Sequence, residues 1–338
     1  MSLLEDEIRE QPATLARLLD EGRADAERIA ADLRRAAPMF LVIAARGSSD
    51  NAARYAQYLF GAHNRLVVAL ASPSLHTLYR AAPSLRGGAV LALSQSGQSP
   101  DIVAVVAEAR RQGVLALALT NDPASPLARA ASHVLALRAG EERAVAASKS
   151  YTAELTALAM LSAELADDEA RRRELGELPA AVAAALEANP APDAAVAAGA
   201  ERLVVLGRGF SVSTAHEIAL KVKETGYLLA EASSWADFEH GPMALVEPGF
   251  PALLVAPSGV TVDDAMALRA RLLARGAHVI ALSDRDELRP SLRMPRVPEW
   301  LSPAVAIVPG QLWAVALARA RGLDPDAPRG LSKVTRTL

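Results

Sequence analysis

A polar segment near the middle of the first half of the chain has residue types that could bind an anion. Residues 93–101 read L-S-Q-S-G-Q-S-P-D and follow an apolar run that predicts a buried strand. Ser99 suits a helix N-cap, Pro100 the first helical position and Asp101 the first turn. Backbone N–H groups at such a helix start bind anions, and the helix dipole favours negative charge. Because no Walker lysine follows, the loop suggests a phosphate monoester on a small molecule, although a plain strand–helix turn has the same pattern.

Three titratable residues in the second half of the chain have helical spacing. Glu217, Lys221 and Glu224 stand at positions i, i+4 and i+7, which places them on one face of a predicted helix. A Glu–Lys pair at i, i+4 is an ordinary surface ion pair in many helices. The neighbours Ala219 and Leu220 are apolar, and this setting favours a second interpretation, in which a carboxylate moves a proton during catalysis.

Two further residues have side chains that take part in catalysis when a fold places them suitably. His240 precedes Gly-Pro and is therefore predicted on a turn, where it is either solvated or functional. Lys333 lies near the C-terminus, where a single lysine is by itself no evidence of a site. The histidines lack metal-ligand spacing and no G-x-S-x-G serine motif occurs. We therefore expect no metal site, no cofactor and no Ser-His-Asp chemistry.

The sequence pattern indicates an internal duplication. Gly97 and Gly259 each lie in a strand, Ser-Gly turn, helix, glycine, strand segment, and they are separated by the same number of residues as Gly47 and Gly209. Two separate segments with one offset favour a duplicated domain. Short runs rich in Val, Leu and Ile alternate with helical patterns, as in parallel strands that are buried on both faces. We therefore predict an α/β protein with two doubly wound parallel-sheet domains.

Composition limits the functional classes. The 338 residues suit two domains, and a hydrophobic fraction of 51% allows each to bury a core. The net charge of −3 does not favour nucleic-acid binding. The chain has no cysteine, which excludes disulfides, thiolate metal sites and a cysteine nucleophile from these residues. With no signal-peptide pattern and no apolar stretch that approaches the roughly 20 residues needed to span a bilayer, we expect a soluble cytoplasmic protein without a membrane partner.

A series of ordered motifs resembles the SIS (sugar isomerase) family. The resemblance is to the isomerase half of glutamine–fructose-6-phosphate aminotransferase and to stand-alone SIS-type glucosamine-6-phosphate deaminases, and it covers nearly the whole chain. The motifs are, in chain order, E-I-R-E-Q-P (7–12), A-R-G-S-S (45–49), S-Q-S-G-Q-S (94–99), A-V-A-A-S-K-S-Y-T (144–152), E-I-A-L-K-V-K-E (217–224), E-H-G-P-M-A-L (239–245) and D-P-D-A-P-R-G-L-S-K-V-T (324–335).

The resemblance also implies a domain organisation of two tandem SIS domains. We expect an N-terminal helical segment at 1–36 and a first SIS domain with the phosphate-binding loops at 37–188. A second SIS domain with the catalytic helix and the histidine loop is expected at 189–321, followed by a tail at 322–338 that carries Lys333.

The resemblance further implies the composition of the site. Glu224 would move a proton between C1 and C2 of an open-chain sugar, and His240 would assist ring opening. Lys333 would meet the ketose carbonyl, through a Schiff base or by polarising it, with support from Glu217 and Lys221. Ala147 stands where the family usually has a hydroxyl residue, so only its backbone could make that contact. The expected phosphate-binding residues are Ser48, Ser49, Ser94, Gln95, Ser96 and Ser99, and the expected sugar-lining residues are Gly47, Val145 and Ala147.

The activity that these roles imply is glucosamine-6-phosphate deamination (isomerising), which yields fructose 6-phosphate and ammonia. The aminotransferase carries an N-terminal glutaminase domain with a cysteine nucleophile, whereas this sequence starts at the isomerase half and has no cysteine. We therefore do not expect glutamine hydrolysis. Another sugar-phosphate aldose–ketose isomerase and a fructosamine-phosphate deglycase are alternatives. A non-catalytic sugar-phosphate sensor belongs to another class and would not need Glu224, His240 and Lys333 together. The family also implies a homodimer with composite sites, in which the His240 loop crosses the interface.

Overall fold

The computed structural model describes residues 2–333. These residues form two compact units. The first-sheet unit contains Ala13–Glu142, Lys149–Gly176 and residues 332–333. The second-sheet unit contains residues 2–12, Arg143–Ser148 and Glu177–Leu331. Each unit is built around one five-stranded sheet whose strands are all parallel.

The elements of the first-sheet unit alternate between strands and helices. The chain opens with α1 (Leu3–Arg9), which belongs to the second-sheet unit, and continues into α2 (Gln11–Glu21), most of which belongs to the first-sheet unit. The strands are β1 (Phe40–Ala44), β2 (Val67–Leu70), β3 (Gly88–Leu93), β4 (Leu115–Thr120) and β5 (His133–Ala136). The helices that follow α2 are α3 (Arg23–Ala36), α4 (Ser48–Asn64), α5 (Ser74–Thr77), α6 (Pro100–Arg111), α7 (Pro126–Ala130), α8 (Lys149–Ala166) and α9 (Glu169–Gly176).

The first sheet has the strand order β2-β1-β3-β4-β5, which creates a topological switch point between β1 and β3. β3 and β4 are buried along almost their whole length, while β2 lies at an edge and is partly exposed. α4 follows β1 and α6 follows β3, so both helices begin at the carboxyl edge of adjacent strands. In open α/β sheets this crevice is where ligands bind.

The second-sheet unit repeats this arrangement. Its strand order is β10-β9-β8-β6-β7. Read from the other end, this is the order of the first sheet with five added to each strand number. This agreement confirms the predicted duplication. The strands are β6 (Arg202–Gly207), β7 (Leu229–Ser234), β8 (Pro251–Val255), β9 (His278–Ser283) and β10 (Leu292–Arg293). The α-helices are α10 (Leu178–Ala188), α11 (Ala195–Ala198), α12 (Ser211–Gly226), α13 (Trp235–Glu239), α14 (Val262–Ala274) and α15 (Ser302–Ala320), with 3₁₀ turns at Pro242–Leu245, Asp286–Leu288 and Glu299–Leu301.

The duplication extends to backbone conformation at two glycines. Gly47 precedes α4 with φ +56°, and Gly209 lies just before α12 with φ +60°. Residues other than glycine rarely adopt such φ angles, so each glycine lets the chain turn sharply from its strand into its helix. The pairing of Gly47 with Gly209 in the sequence therefore reflects one turn that is used twice.

The expectation that no apolar stretch approaches the length needed to span a membrane is wrong. Residues Glu299–Ala320 are 22 residues long and apolar enough to cross a membrane by length and composition. The stretch is nevertheless a core segment, because 94% of its most apolar window is buried inside the protein. Within the second-sheet unit, α15 packs against α12 so closely that a Cβ on Gly310 would lie 2.5 Å from the Cγ1 atom of Ile218. The apolar character of α15 thus supports the helix that carries Glu217, Lys221 and Glu224.

Candidate active site

The predicted phosphate loops lie together at the switch point of the first-sheet unit. Residues 45–49 lead from β1 into α4, and residues 94–99 lead from β3 into α6. Because β1 and β3 are hydrogen-bonded neighbours, the N-termini of two helices meet at one edge of the sheet. The first amide groups of a helix have no intrahelical acceptor, and both helix dipoles favour an anion there.

The second of these loops is organised by its own serines. The Oγ atom of Ser94 accepts a hydrogen bond from the Gly97 amide at 3.2 Å, and that of Ser96 accepts one from the Gln98 amide at 3.3 Å. A hydroxyl that accepts such a bond still has its proton to donate. Both serines can therefore be held in place by the backbone and still donate to a phosphate oxygen.

The same loop is fastened to the rest of the sheet through its carbonyl groups. The carbonyl oxygen of Gln95 accepts bonds from the Asn121 amide at 3.0 Å and the Thr120 hydroxyl at 3.3 Å. Gly97 has φ +61°, and a Cβ there would lie 2.1 Å from Oγ of Ser125. Glycine is therefore required at this position for both conformation and space. These contacts pre-form the loop.

Ser99 and Ser49 are used differently by the structure. Ser99 occupies the N-cap of α6 as predicted, with Pro100 at the first helical position, but its side chain makes no capping bond. Ser49 is buried and its hydroxyl donates to Oε1 of Glu154 at 2.7 Å. Since a hydroxyl has one proton, Ser49 can donate to a phosphate only if the bond to Glu154 breaks.

An ion pair that the sequence motifs do not predict joins the A-R-G-S-S loop to the start of α6. Nε of Arg46, which precedes Gly47, lies 2.9 Å from Oδ2 of Asp101 in the first turn of α6. Asp101 is fully buried, whereas half of the Arg46 side chain is exposed. Arg46 stands inside the A-R-G-S-S motif, so its position was visible in the sequence, but its partner comes from a distant segment.

In the second-sheet unit, the three titratable residues of α12 form one charge cluster. Nζ of Lys221 lies 2.6 Å from Oε2 of Glu224 and 3.4 Å from Oε1 of Glu217. Lys221 and Glu217 are almost completely buried, while the Glu224 side chain is 23% exposed. Burial alone would lower the pKa of Lys221, but the charges of Glu224 and Glu217 outweigh it and raise that pKa. The cluster is therefore not an ordinary surface ion pair, and Glu224 has the most exposed side chain of the three.

His240 lies on a turn, as the sequence predicts. It is the C-cap of α13, its amide donates to the carbonyl oxygen of Asp237 at 3.0 Å, and its side chain is exposed. The following Gly241 and the 3₁₀ turn Pro242–Leu245 redirect the chain. His240 is thus accessible on the surface of the second-sheet unit.

Lys333 is held by a buried carboxylate in the first-sheet unit. Its Nζ atom lies 2.7 Å from Oε2 of Glu142, whose side chain has no exposed surface. Glu142 also accepts bonds from the amide of Ser150 at 2.9 Å and from its hydroxyl at 2.7 Å. Burial would raise the pKa of Glu142, but the Lys333 charge and the Ser150 donors reverse this and keep the pKa below 4.5. Sequence reasoning missed Glu142 because no motif marks it.

The tail that leads to Lys333 is anchored within the second-sheet unit. Asp326 accepts hydrogen bonds from the amides of Leu3 and Leu4, at 2.6 and 2.9 Å, at the start of α1. The amide of Arg329 donates to the Tyr227 hydroxyl at 2.7 Å, and its guanidinium lies 4.0 Å from the centroid of that ring. Tyr227 is the C-cap of α12. The tail is therefore fixed to the end of the helix that carries Glu224.

The predicted sugar-lining residues Val145 and Ala147 are half-buried in the second-sheet unit. Their segment is held by Glu7, which accepts bonds from the amides of Arg143 at 2.6 Å and Ala144 at 3.2 Å. Glu7 is 2% exposed and opens the E-I-R-E-Q-P motif. That motif therefore has a structural explanation, because it shapes a segment far away in sequence.

The structure sorts the predicted residues by unit. The first-sheet unit holds Gly47, Ser48, Ser49, Ser94, Gln95, Ser96, Ser99 and Lys333, and the second-sheet unit holds Val145, Ala147, Glu217, Lys221, Glu224 and His240. Among residues 2–333 no group of three or more His, Cys, Asp or Glu side chains is arranged to hold a metal ion.

The duplicated loop of the second-sheet unit, residues 256–261, corresponds to the loop around Gly97, and carboxylates of the chain itself accept hydrogen bonds from it. Asp284 accepts bonds from both the amide and the hydroxyl of Ser258, each at 2.6 Å. Oε2 of Glu299 accepts a bond from the Val260 amide at 3.0 Å, and a Cβ on Gly259 would overlap the Glu299 side chain. These carboxylates accept hydrogen bonds from donors that an anion in this loop would otherwise use.

The pattern of residues matches a known family model. The model for the SIS domain matches residues 38–163 and 198–288, one segment in each half of the chain. The chain belongs to the SIS domain family. Glutamine–fructose-6-phosphate aminotransferase [isomerizing] of Thermococcus kodakarensis is 43% identical to this SIS protein over 263 residues, which cover 72% of this chain and 43% of the relative. The chain spans about half the length of the curated relatives it matches.

Solved structures extend the similarity to the whole chain. A Silicibacter pomeroyi protein, provisionally assigned as a phosphosugar isomerase, is 39% identical with a TM-score of 0.87, and the match covers 96% of this chain and 100% of that one. The C-terminal domain of glucosamine-fructose-6-phosphate aminotransferase from Francisella tularensis is 27% identical with a TM-score of 0.89, covering 97% and 98%. Glucosamine-6-phosphate deaminase from Thermotoga maritima, 23% identical with a TM-score of 0.82 over 99% and 100%, shares the fold. The prediction of the SIS fold is confirmed over nearly the whole chain.

Proposed function

We propose that this SIS protein is a glucosamine-6-phosphate deaminase of the isomerising kind. The substrate would be glucosamine 6-phosphate, and with one water molecule it would yield fructose 6-phosphate and ammonia. The observation that carries the proposal is the Glu217–Lys221–Glu224 cluster, in which a partly exposed carboxylate is fixed by a buried lysine. A fixed carboxylate within reach of a sugar can move a proton between adjacent carbons.

The proposed reaction uses one proton transfer between C2 and C1. Glu224 would take the C2 proton of the open-chain amino aldose and return it to C1, while the amine loses a proton and the C1 oxygen gains one, which gives an imine at C2 and a hydroxyl at C1. Water would then add to C2 and ammonia would leave, so that the ketose remains. His240, which is exposed on its turn, would assist the opening of the sugar ring.

The phosphate would bind at the switch point of the first-sheet unit. Ser94 and Ser96 are supported there by backbone amides and keep hydroxyl protons to donate. Gln95, Ser99 and Ser48 lie on the same two loops. A phosphate that is held by loops and helix termini leaves the carbon atoms near the aldehyde end of the sugar for catalysis.

We further propose a homodimer whose active sites combine residues of two subunits. His240 is the residue that would cross the interface, since it is exposed on a turn of its own unit. A site completed by a second copy would explain why a catalytic histidine lies on an open surface of one chain. The proposal concerns two identical chains and a small-molecule substrate.

Ammonia release from a panel of phosphorylated sugars tests the function. Glucosamine 6-phosphate is expected to give ammonia and fructose 6-phosphate in equal amounts, and Glu224→Gln serves as the inactive control. Interconversion of an aldose and a ketose phosphate without ammonia would replace the deaminase by an isomerase. Ammonia or amine release only from fructosamine phosphates would indicate a deglycase. Tight binding of a sugar phosphate without turnover of any panel member would indicate a sensor and overturn the enzyme.

A further inference from the structure

Lys333 is paired with Glu142, a carboxylate that has no role in the proposed reaction. The Glu142 side chain has no exposed surface, whereas 24% of the Lys333 side chain is exposed. The two atoms of the pair, Nζ and Oε2, are 2.7 Å apart. A buried carboxylate is costly unless it is paired and hydrogen-bonded, so a fold that retains one there gains a fixed charge at a defined point.

The Glu142 carboxylate is itself oriented by a helix. Ser150 lies in the first turn of α8 and donates to Glu142 twice, from its amide to Oε1 and from its hydroxyl to Oε2. The amide of a first-turn residue has no intrahelical acceptor, so the carboxylate acts as an anion bound at the helix start. Both carboxylate oxygens of Glu142 are therefore oriented by Ser150, independently of Lys333.

We propose that Glu142 is the positioning residue for Lys333. It fixes the ammonium group in the unit that carries the phosphate loops, and it holds the end of the tail in place. This inference rests on the proposed function and on the role that the family resemblance implies for Lys333, which is to meet the sugar carbonyl. Glu142 itself touches no substrate in this account and acts through Lys333.

The test uses the full chain and two independent readouts. The first is the rate at which acetic anhydride acylates Lys333, followed by mass spectrometry of the digested protein, with the exposed Lys223 as internal reference. Glu142→Gln keeps the shape but removes the charge that holds the ammonium. We expect Lys333 to be acylated several-fold faster in Glu142→Gln than in the wild type. Glu141→Gln, the same change at the exposed neighbour, is the matched control and should leave the rate unchanged.

The second readout is steady-state turnover of glucosamine 6-phosphate. A misplacement of about 1 Å at a reacting group can cost about 100-fold in rate, so kcat should fall by up to that factor in Glu142→Gln with KM nearly unchanged. Ser150→Ala keeps the carboxylate and removes one of its donors, so Lys333 acylation should stay close to the wild-type rate. If Glu142→Gln does not fold, Glu142→Asp retracts the carboxylate by one methylene and provides the same comparison.

The outcomes separate this proposal from the proposed function. Unchanged acylation of Lys333 in Glu142→Gln overturns the positioning role, whatever the activity. Faster acylation with unchanged kcat also overturns it, because Lys333 would then not need to be positioned. If the wild type turns over no sugar phosphate, the proposed function fails, while faster acylation still supports the pairing of Glu142 with Lys333.

Discussion

Nζ of Lys221 lies 2.6 Å from Oε2 of Glu224, and the lysine side chain is 2% exposed while that of Glu224 is 23% exposed. The second carboxylate, Glu217, approaches the same Nζ to 3.4 Å and has no exposed surface. The buried Lys221 thus pairs with both the partly exposed carboxylate of Glu224 and the fully buried carboxylate of Glu217. This arrangement fixes the position of Glu224 without covering it.

Glu224→Gln tests the role of this carboxylate as the base. Proton transfer by a placed side chain contributes about 10²–10⁴-fold, so we expect kcat to fall by that factor, with sugar-phosphate affinity nearly unchanged. Single-turnover kinetics with deuterium exchange at C2 measures the step directly. Glu231→Gln, at an exposed position of β7, is the control. Wild-type exchange in Glu224→Gln would mean that another residue is the base.

The double change Ser94→Ala with Ser96→Ala tests the phosphate loop. Hydrogen bonds to charged groups contribute about 1.5–3 kcal/mol each, so the binding of fructose 6-phosphate should weaken by a few kcal/mol in calorimetry. Ser258→Ala, in the duplicated loop, should leave that affinity unchanged because Asp284 already occupies the Ser258 donors. A larger loss of affinity in Ser258→Ala would place the phosphate in the second-sheet unit.

Asp284→Ala tests whether an internal carboxylate accepts the donors of the duplicated loop. The change removes both acceptors, so the amide and the hydroxyl of Ser258 lose this partner. A buried donor without its partner costs about 1–3 kcal/mol, and since these donors are partly buried we expect the free energy of unfolding to fall by about 1 kcal/mol or more. Urea unfolding measures the change. Glu201→Gln is exposed and should shift the free energy by no more than about 0.5 kcal/mol. Equal stability of the two variants would contradict the filled loop.

The pairing of Glu142 predicts an acid-sensitive component of stability. The pKa of Glu142 in the folded state lies below its ordinary value of 4.5, so folding favours the ionised form. Its contribution is therefore present above about pH 4.5 and is lost as the pH falls through the lower folded-state pKa. Urea unfolding at a series of acidic pH values should show a smaller decline for Glu142→Gln than for the wild type. The decline for Glu141→Gln should follow the wild type, and equal declines for all three proteins would contradict the pairing.

Mixed dimers test the proposed composite site. Glu224→Gln and His240→Ala proteins are each expected to be inactive, but subunit exchange between them should restore part of the activity. One site of each hybrid would then combine an intact Glu224 with an intact His240. Restored activity should depend on protein concentration. A monomer that is active at high dilution would contradict the composite site.

The sequence by itself determined the repeating α/β pattern and the placement of its turns. Parallel strands that are buried on both faces appear in the sequence as runs of Val, Leu and Ile. The turns into α4 and α12 need glycine at φ +56° and +60°. Both features depend only on residues that are close in sequence. The shared spacing of Gly47 and Gly209 was enough to predict the duplication. Helical periodicity likewise placed Glu217, Lys221 and Glu224 on one face of α12, because that relationship depends only on the turn of the helix.

Only the tertiary structure decided which partner each charged or polar group has. Glu142 and Lys333 are far apart in sequence, as are Arg46 and Asp101, and no local pattern links them. The same holds for Asp284, which occupies the donors of Ser258 and so distinguishes two loops with similar sequences. Burial also changed the meaning of α15, whose apolar surface is covered by the protein itself. Such properties depend on long-range packing, because burial and pairing arise only when distant segments of the chain come together.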